Sequence, residues 1–224
     1  MKQENRTMKP SLFRMALTGA LAFAASLAPV AATAQKSGNE ARSAKAQELR
    51  ERIRTDPLAP TTGARNGDVT VVVFSDYQCP YCRRFNDTLD ALVKADPKVR
   101  VVYRDWPIQG PASVLAARAT IAAQYQNKHA ALHAALMAGP VRLDEATIKH
   151  AAREAKVDWN RLQTDMKAHK SEIDGLLVRN YQYARIMGLE GTPGLLIGPY
   201  LVPGAVDLAT LRQTVANARK EGAR

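Results

Sequence analysis

The chain has 224 residues, of which 46% are hydrophobic, 24% charged and 6% aromatic, a globular composition that excludes collagen-like and intrinsically disordered proteins. Lysine and arginine number 32 against 21 aspartate and glutamate, for a net charge of +11, but no basic run with interleaved aromatics occurs, so we predict no nucleic-acid partner. Only two cysteines are present, which excludes a multi-bridge scaffold and a four-cysteine zinc site in one copy.

Residues 1–34 have the pattern of an export signal. A basic start is followed by an uncharged stretch over 15–30 and by the small-residue site Ala32-Thr33-Ala34. This pattern predicts a signal peptide cleaved near Ala34 and a periplasmic or otherwise exported protein. The alternative is an uncleaved membrane anchor, but the apolar stretch is short and alanine-rich, whereas a spanning helix needs about 20 strongly apolar residues.

Residues 35–67 are predicted to form an N-terminal arm or linker. A short helix is indicated over Ala41–Arg54, with Leu49 and Ile53 on one side, before several prolines and glycines interrupt the pattern. Because isolated helices of this length are marginally stable, we favour a partly ordered tail. The alternative is an arm through which copies of the chain associate.

The segment from residue 68 to about 95 contains both cysteines. An apolar, β-branched run over 68–74 predicts a strand, and Cys79-Pro80-Tyr81-Cys82 opens a helical stretch that reaches about Ala95. Proline is favoured at the first helical position, so Cys79 is predicted at the N-cap. There the free backbone N–H groups and the helix dipole stabilise a thiolate. Cys82 follows three residues later on the same face, within reach of a bridge.

This pair is predicted to be redox-active. A Cys79–Cys82 bridge closes a ring of only four residues and stabilises the fold by roughly 2 kcal/mol, so redox chemistry is a better reason for it than stability. We predict an exposed, attacking Cys79 and a buried, resolving Cys82, with no separate cofactor and no metal. The alternative is a copper- or zinc-binding module, although two thiolates supply only half of a tetrahedral zinc shell.

The rest of the chain is predicted to be mainly helical. A second strand is predicted over 98–103, followed by helical patterns to about residue 188. Asp144, Asp158 and Asp207 are predicted N-caps, each with a hydrophobic staple, and Ser171 is predicted to begin a capping box. The last of these helices spans 207–219. Before it, Gly191-Thr192-Pro193-Gly194 precedes an apolar strand and marks a tight backbone feature.

Two stretches together resemble the exported DsbA-like thiol:disulfide oxidoreductases of the thioredoxin superfamily, namely 74–85 (FSDYQCPYCRRF) and 191–204 (GTPGLLIGPYLVPG). The resemblance implies an α/β, thioredoxin-like fold over 68–224 with a helical insertion at about 110–188. It also implies that Pro193 is cis and packs against the cysteine pair. The loop of Gly191, Thr192 and Pro193 would then bind an extended client segment as an added strand.

The same resemblance implies a function and partners. An exported oxidoreductase of this kind exchanges disulfides with cysteine-containing exported proteins and depends on a membrane redox partner protein. Pro80 and Tyr81 would tune its redox potential. Thr192 before the proline resembles the isomerase and reductase branches, so a disulfide isomerase or reductase is the alternative. Similar isomerases oligomerise through N-terminal segments, which makes a homo-oligomer through 35–67 an expectation.

One departure from the family concerns proton transfer. Many relatives carry a buried acid six residues before the first cysteine, where this chain has Val73, and the nearest acid is Asp76.

Outside this region, His129 and His133 lie four residues apart and suit either one metal or, as we favour, a solvated helix face. Arg83 and Arg84 are likewise expected on a solvated face, and the alternative is that they guide acidic partners. Trp106 is expected in the core rather than in a substrate groove.

Overall fold

The computed structural model describes residues 28–222, with side chains from residue 39 onward. The described residues up to Ala46 belong to one compact unit and those from Gln47 to a second. Helix α1 (Ala28–Thr55) begins in the first unit and ends in the second. Most of the predicted signal peptide therefore lies outside the described residues. Among the residues that are described, no helix is both long and apolar enough to cross a membrane.

The second unit is built on a five-stranded mixed sheet in the order β1-β3-β2-β4-β5. Its strands are β1 (Thr61–Gly63), β2 (Val69–Ser75), β3 (Val99–Asp105), β4 (Gly194–Ile197) and β5 (Tyr200–Pro203). The central pair, β2 and β3, is parallel, and every other pair is antiparallel. All seven residues of β2 are buried, as expected for a central strand covered on both faces.

Seven helices complete the unit. They are α2 (Pro80–Ala95), α3 (Pro111–Ala122), α4 (His129–Ala138), α5 (Glu145–Glu154), α6 (Trp159–Ala168), α7 (Lys170–Ile186) and α8 (Leu208–Lys220). Helices α3 to α7 follow one another between β3 and β4, so the helical insertion interrupts the connection within the sheet. The prediction of an α/β, thioredoxin-like fold with inserted helices is confirmed.

The two faces of the sheet bury different cores, because side chains alternate along a strand. The odd-numbered residues of β2, such as Val71 and Val73, pack with α2 and α8 through residues such as Leu89 and Val215. The even-numbered residues, such as Phe74, pack with the inserted helices. Helix α2 therefore lies on the same sheet face as Val73.

Local capping follows the sequence closely. Asp144, Asp158 and Asp207 each accept a hydrogen bond from the backbone N–H three residues later, so all three predicted N-caps are confirmed. The predicted capping box at Ser171 is wrong, because α7 already begins at Lys170 and its N-cap is His169.

The preference for a partly ordered tail over 35–67 is also wrong. Ile53 is fully buried in the core, and the backbone carbonyl of Ile53 accepts a hydrogen bond of 2.9 Å from the Arg104 guanidinium. Strand β1 then pairs antiparallel with β3. The end of α1 and the strand after it are thus held by long-range partners, which a calculation for an isolated helix does not include.

Candidate active site

Cys79 lies at the junction between β2 and α2. Its backbone is extended, with φ −82° and ψ 117°, and it is the N-cap of α2, with Pro80 at the first helical position. Its carbonyl accepts a hydrogen bond of 3.2 Å from the Arg83 N–H. The predicted N-cap position is confirmed, so the sulfur lies at the end of the helix where backbone N–H groups and the helix dipole favour an anion.

The loop before β4 meets this sulfur. The Thr192–Pro193 peptide bond is cis, as the resemblance implies. The Cys79 thiol donates a hydrogen bond of 3.2 Å to the backbone carbonyl of Thr192. Residues 113 positions apart in the chain are therefore in direct contact, and the expected packing of the proline loop against the cysteine pair is confirmed.

The prediction of an exposed Cys79 is wrong. Cys79 is only 3% exposed, because the Thr192–Pro193 loop lies against its sulfur, and Cys82 is 2% exposed. The surface next to the pair is formed by Pro80 and by Tyr81, whose exposure is 58%. Cys82 is buried as predicted, and this burial raises the pKa of its thiol to about 12. An ionised Cys82 therefore requires a group that accepts its proton.

The two arginines after the pair have different environments. Arg83 donates hydrogen bonds to five backbone carbonyls, those of Tyr77, Leu136, Met137, Gly139 and Pro140. The expectation of a solvated side chain is wrong for Arg83, because its guanidinium binds the carbonyl end of α4 and joins the active-site helix to the insertion. Arg84 is exposed and lies 4.7 Å over the Tyr81 ring as a cation–π pair.

Asp76 holds the loop before Cys79 rather than facing Cys82. Its carboxylate is buried and accepts hydrogen bonds from the N–H groups of Gln78, Ile108 and Gln109 and from the Ser113 hydroxyl, all at 2.7–2.8 Å. These four donors fix the β2–α2 loop against the loop after β3. Because both of its carboxylate oxygens already accept hydrogen bonds, Asp76 does not replace the acid that many relatives carry at the position of Val73.

His129 and His133 are buried, so the expectation of a solvated helix face is wrong. Their rings stack 5.8 Å apart beside Tyr103, and burial lowers the pKa of His133 to about 4. The described part of the chain contains no group of three His, Cys, Asp or Glu side chains placed to hold a metal ion. Trp106 is buried in the core, as favoured.

Two buried charged residues next to each other in the chain are absent from our sequence predictions. Arg104 and Asp105 end β3, and both are buried despite their charge. A pair of opposite charges at the end of an apolar strand is the one signal that points to them. That signal does not say which face each side chain occupies or what it contacts, and these features decide its role.

Comparison with known structures agrees with this geometry. A thioredoxin-like oxidoreductase from Silicibacter pomeroyi DSS-3 is 44% identical, with a TM-score of 0.74 over 76% of this chain and 98% of that one. A periplasmic thioredoxin-like protein from Salmonella enterica serovar Typhimurium is 31% identical, with a TM-score of 0.67 over 77% and 96%. The thiol-disulfide exchange protein alpha-DsbA2 from Wolbachia pipientis is 26% identical, with a TM-score of 0.73 over 81% and 97%.

Curated relatives include two longer proteins. The Na(+)/H(+) antiporter NhaA 3 of Salinispora tropica is 26% identical over 170 residues, which is 72% of this chain and 26% of that protein. The antiporter NhaA 1 of Mycobacterium sp. strain KMS is 27% identical over 173 residues, 76% of this chain and 27% of that protein. The chain thus spans about a quarter of the length of these relatives.

The family model for the DSBA-like thioredoxin domain matches residues 70–216, which include all of β2 but its first residue, the cysteine pair, the helical insertion and the cis-proline loop. This match covers more than half of the chain and agrees with the fold and with the structural relatives. The chain belongs to the DSBA-like thioredoxin domain family.

Proposed function

We propose that the Cys79–Cys82 pair exchanges disulfides with the cysteines of other exported proteins. The observation that carries this proposal is the position of the Cys79 sulfur, at the N-terminus of α2 and 3.2 Å from the Thr192 carbonyl beside the cis proline. A thiolate is stabilised at such a helix end, and a neighbouring thiol on the same helical turn is within reach to resolve a mixed disulfide.

The exchange transfers two electrons. A client thiolate attacks the Cys79 sulfur of the oxidised pair, the Cys79–Cys82 bond breaks, and Cys82 leaves with the electron pair and takes up a proton. A second client thiolate then attacks the client sulfur of the mixed disulfide, so the client bridge forms and Cys79 leaves as a thiolate. The client is oxidised and the pair is reduced, and the same steps in reverse reduce a client disulfide.

The neighbouring residues are proposed to recognise the client and set the potential. The exposed Tyr81 ring, stacked with Arg84, offers an apolar and cationic surface beside Cys79. The backbone of Gly191, Thr192 and Pro193 is proposed to pair with an extended client segment, as a strand added to a sheet edge does. Pro80 and Tyr81 are proposed to tune the redox potential through the geometry of the first helical turn.

Replacing Cys82 with alanine is expected to trap client proteins on Cys79. With the resolving thiol gone, the mixed disulfide persists and is visible as a higher band on a non-reducing gel that disappears on reduction. The matched control is Cys79→Ala, which leaves Cys82 buried and is expected to trap none. Equal trapping by both variants, or by neither, would contradict the assigned roles.

The compartment and the redox partner are part of the proposal. The predicted signal at 1–34 and the periplasmic location stated for the Salmonella relative support an exported protein. An exported pair that oxidises clients accumulates in the reduced form, so we propose a membrane redox partner protein that restores it. A potential near −120 mV without unscrambling of a misbridged substrate favours an oxidase, whereas unscrambling favours the alternative of an isomerase.

A homo-oligomer through residues 35–67 is proposed from the exposed part of this segment. Residues 39–45 of α1 are exposed, and this stretch lies in the unit that ends at Ala46. Light scattering should therefore give a multiple of the monomer mass for the chain from Gln35 and the monomer mass for a form that begins at Gln47. This second form keeps the buried Ile53 and β1. Identical monomer masses would exclude the arm.

A further inference from the structure

A polar cavity of about 440 Å³ lies between the start of β1 and the start of α4. Its wall is formed by residues within 55–61, by Arg100 on β3 and by residues within 124–130. Neither cysteine and no residue of the cis-proline loop is among them. The disulfide exchange proposed above therefore gives this cavity no role.

His129 is a buried part of this wall. It is 6% exposed, and neither of its ring nitrogens forms a hydrogen bond with any described residue. Burial holds the pKa of His129 well below its usual range, so the ring is neutral at pH 7 and carries one N–H donor. Buried polar groups nearly always have partners, but the described part of the fold supplies none for this donor.

His133, one turn later in α4, shows the contrast. Its Nδ1 binds the Tyr77 hydroxyl and its Nε2 binds the Asn86 amide oxygen, each at 2.9 Å. Both histidines are buried and pack beside Tyr103, so they differ in hydrogen bonding rather than in burial. His133 thus serves the core, whereas the ring of His129 is available to a ligand in the cavity.

Helix α4 begins at the same wall. His129 and Ala130 are its first two residues, and its N-cap, Lys128, makes no side-chain capping hydrogen bond. Ala130 is exposed and lines the cavity. The first backbone N–H groups of a helix have no partner within the helix, and together with the helix dipole they favour an anion. The unpartnered imidazole and these N–H groups therefore lie at one wall of the cavity.

The charges of the wall also favour an anion. Arg100 is half-buried, and none of the ion pairs among the described residues includes it. Asp56 is the only acid among the described residues of the wall. Its carboxylate binds Arg104 at 3.0 Å and Arg179 at 2.9 Å. The charge of Asp56 is therefore compensated, whereas that of Arg100 is not.

We propose that this cavity is a binding site for a phosphate group, either inorganic phosphate or the phosphate of a small molecule. Arg100 and the first N–H groups of α4 bind the phosphate oxygens, and His129 donates its ring N–H from the buried side of the wall. The exposed Thr61 and Asn127 also line the cavity and contribute a hydroxyl and an amide. The volume lies in the range of small-molecule sites, so the cavity admits an organic group attached to the phosphate.

Isothermal titration calorimetry of the chain from Gln35 tests the site, with inorganic phosphate added in chloride buffer at constant ionic strength. We expect saturable binding of one phosphate per chain. Glycerol 3-phosphate is titrated in parallel. Tighter binding of this compound identifies a phosphorylated small molecule as the occupant, and tighter binding of inorganic phosphate identifies the free ion. Succinate, a dicarboxylate, should bind more weakly than either.

Arg100→Gln is expected to weaken phosphate binding about tenfold or more, because it removes a charge-assisted hydrogen bond. His129→Phe keeps an aromatic ring and removes both nitrogens, so it should weaken binding by about threefold to tenfold. The matched control is Arg142→Gln, which should bind phosphate as the wild type does. Arg142 is exposed and follows the opposite end of α4.

Nitrogen NMR of the histidine rings locates the ligand. Phosphate should shift the ring signals of His129 and leave those of the exposed His150 unchanged. Urea unfolding of each variant checks folding. Because the ring nitrogens of His129 lack partners among the described residues, His129→Phe should be at least as stable as the wild type.

Several results would overturn the inference. They are the absence of saturable binding of either phosphate compound, equally tight binding of succinate, an unchanged His129 signal, and wild-type affinity in Arg100→Gln or His129→Phe. An equal loss of affinity in Arg142→Gln would also overturn it, since this indicates attraction to the net positive charge of the chain. None of these results bears on disulfide exchange, which the trapping of clients on Cys79 tests separately.

Discussion

Replacing Arg104 with methionine is expected to lower the free energy of unfolding by about 3–5 kcal/mol. The Arg104 side chain is fully buried and donates hydrogen bonds to the carbonyl of Ile53, to the carboxylate of Asp56 at 3.0 Å and to the amide oxygen of Asn180 at 3.1 Å. Methionine fills much of the same space but donates no hydrogen bond, so it leaves the Ile53 carbonyl and the Asn180 amide oxygen buried without this donor, whereas Arg179 still binds Asp56.

Urea denaturation followed by circular dichroism measures this effect, and Arg118→Met is its matched control. Arg118 also binds a carboxylate, that of Asp174 at 2.7 Å, but 40% of its side chain is exposed. Water replaces a partner at such a site, so the control should lose about 1 kcal/mol or less. Equal losses in the two variants would show that Arg104 does not hold the end of α1 to the sheet.

Alkylation of Cys82 at pH 7.5 is expected to be about 3,000-fold slower in the folded protein than in the unfolded chain. The measurement uses Cys79→Ser, in which Cys82 is the only thiol, and follows iodoacetamide labelling by mass spectrometry with and without urea. With its pKa raised to about 12 by burial, only a few parts in 10⁵ of the thiol are ionised at this pH, whereas roughly a tenth of free cysteine is.

The labelling rate of Cys82 is also expected to depend on pH. Because the thiolate is the reactive form, the labelling rate should rise about tenfold per pH unit until the pH approaches the pKa of the folded protein. Cys82→Ser, which leaves only Cys79, should remain reactive at pH 7.5. A Cys82 labelling rate within tenfold of the unfolded chain would mean that water reaches this sulfur freely and would contradict its burial.

Together, these variants distinguish the supports of the active site from its reacting atoms. Arg104 holds the end of α1 and α7 against β3, and Arg83 holds the end of α4 against the loop that carries Cys79. Within the described part of the chain, neither arginine forms a hydrogen bond with a sulfur atom. Their loss is therefore expected to reduce stability before it changes the chemistry of the pair.

Features that depend on near neighbours were predictable from the sequence alone. Pro80 fixes the start of α2 and makes Cys79 its N-cap, and Asp144 caps α5, because each of these arrangements involves residues within three or four positions. The strand over 68–74 followed from its β-branched run. The contact between Thr192 and Cys79 was implied by the family resemblance rather than by local pattern.

Burial and partner choice were decided only by the tertiary structure. Arg104 contacts groups 51 and 76 positions away, and Cys79 is covered by a loop 113 positions away, so no local pattern reports either environment. His129 and His133 looked like a polar helix face, yet packing of α4 against the sheet and α2 buries them. Charge and hydropathy describe a side chain in water. The role of a buried side chain depends instead on which groups the fold buries beside it.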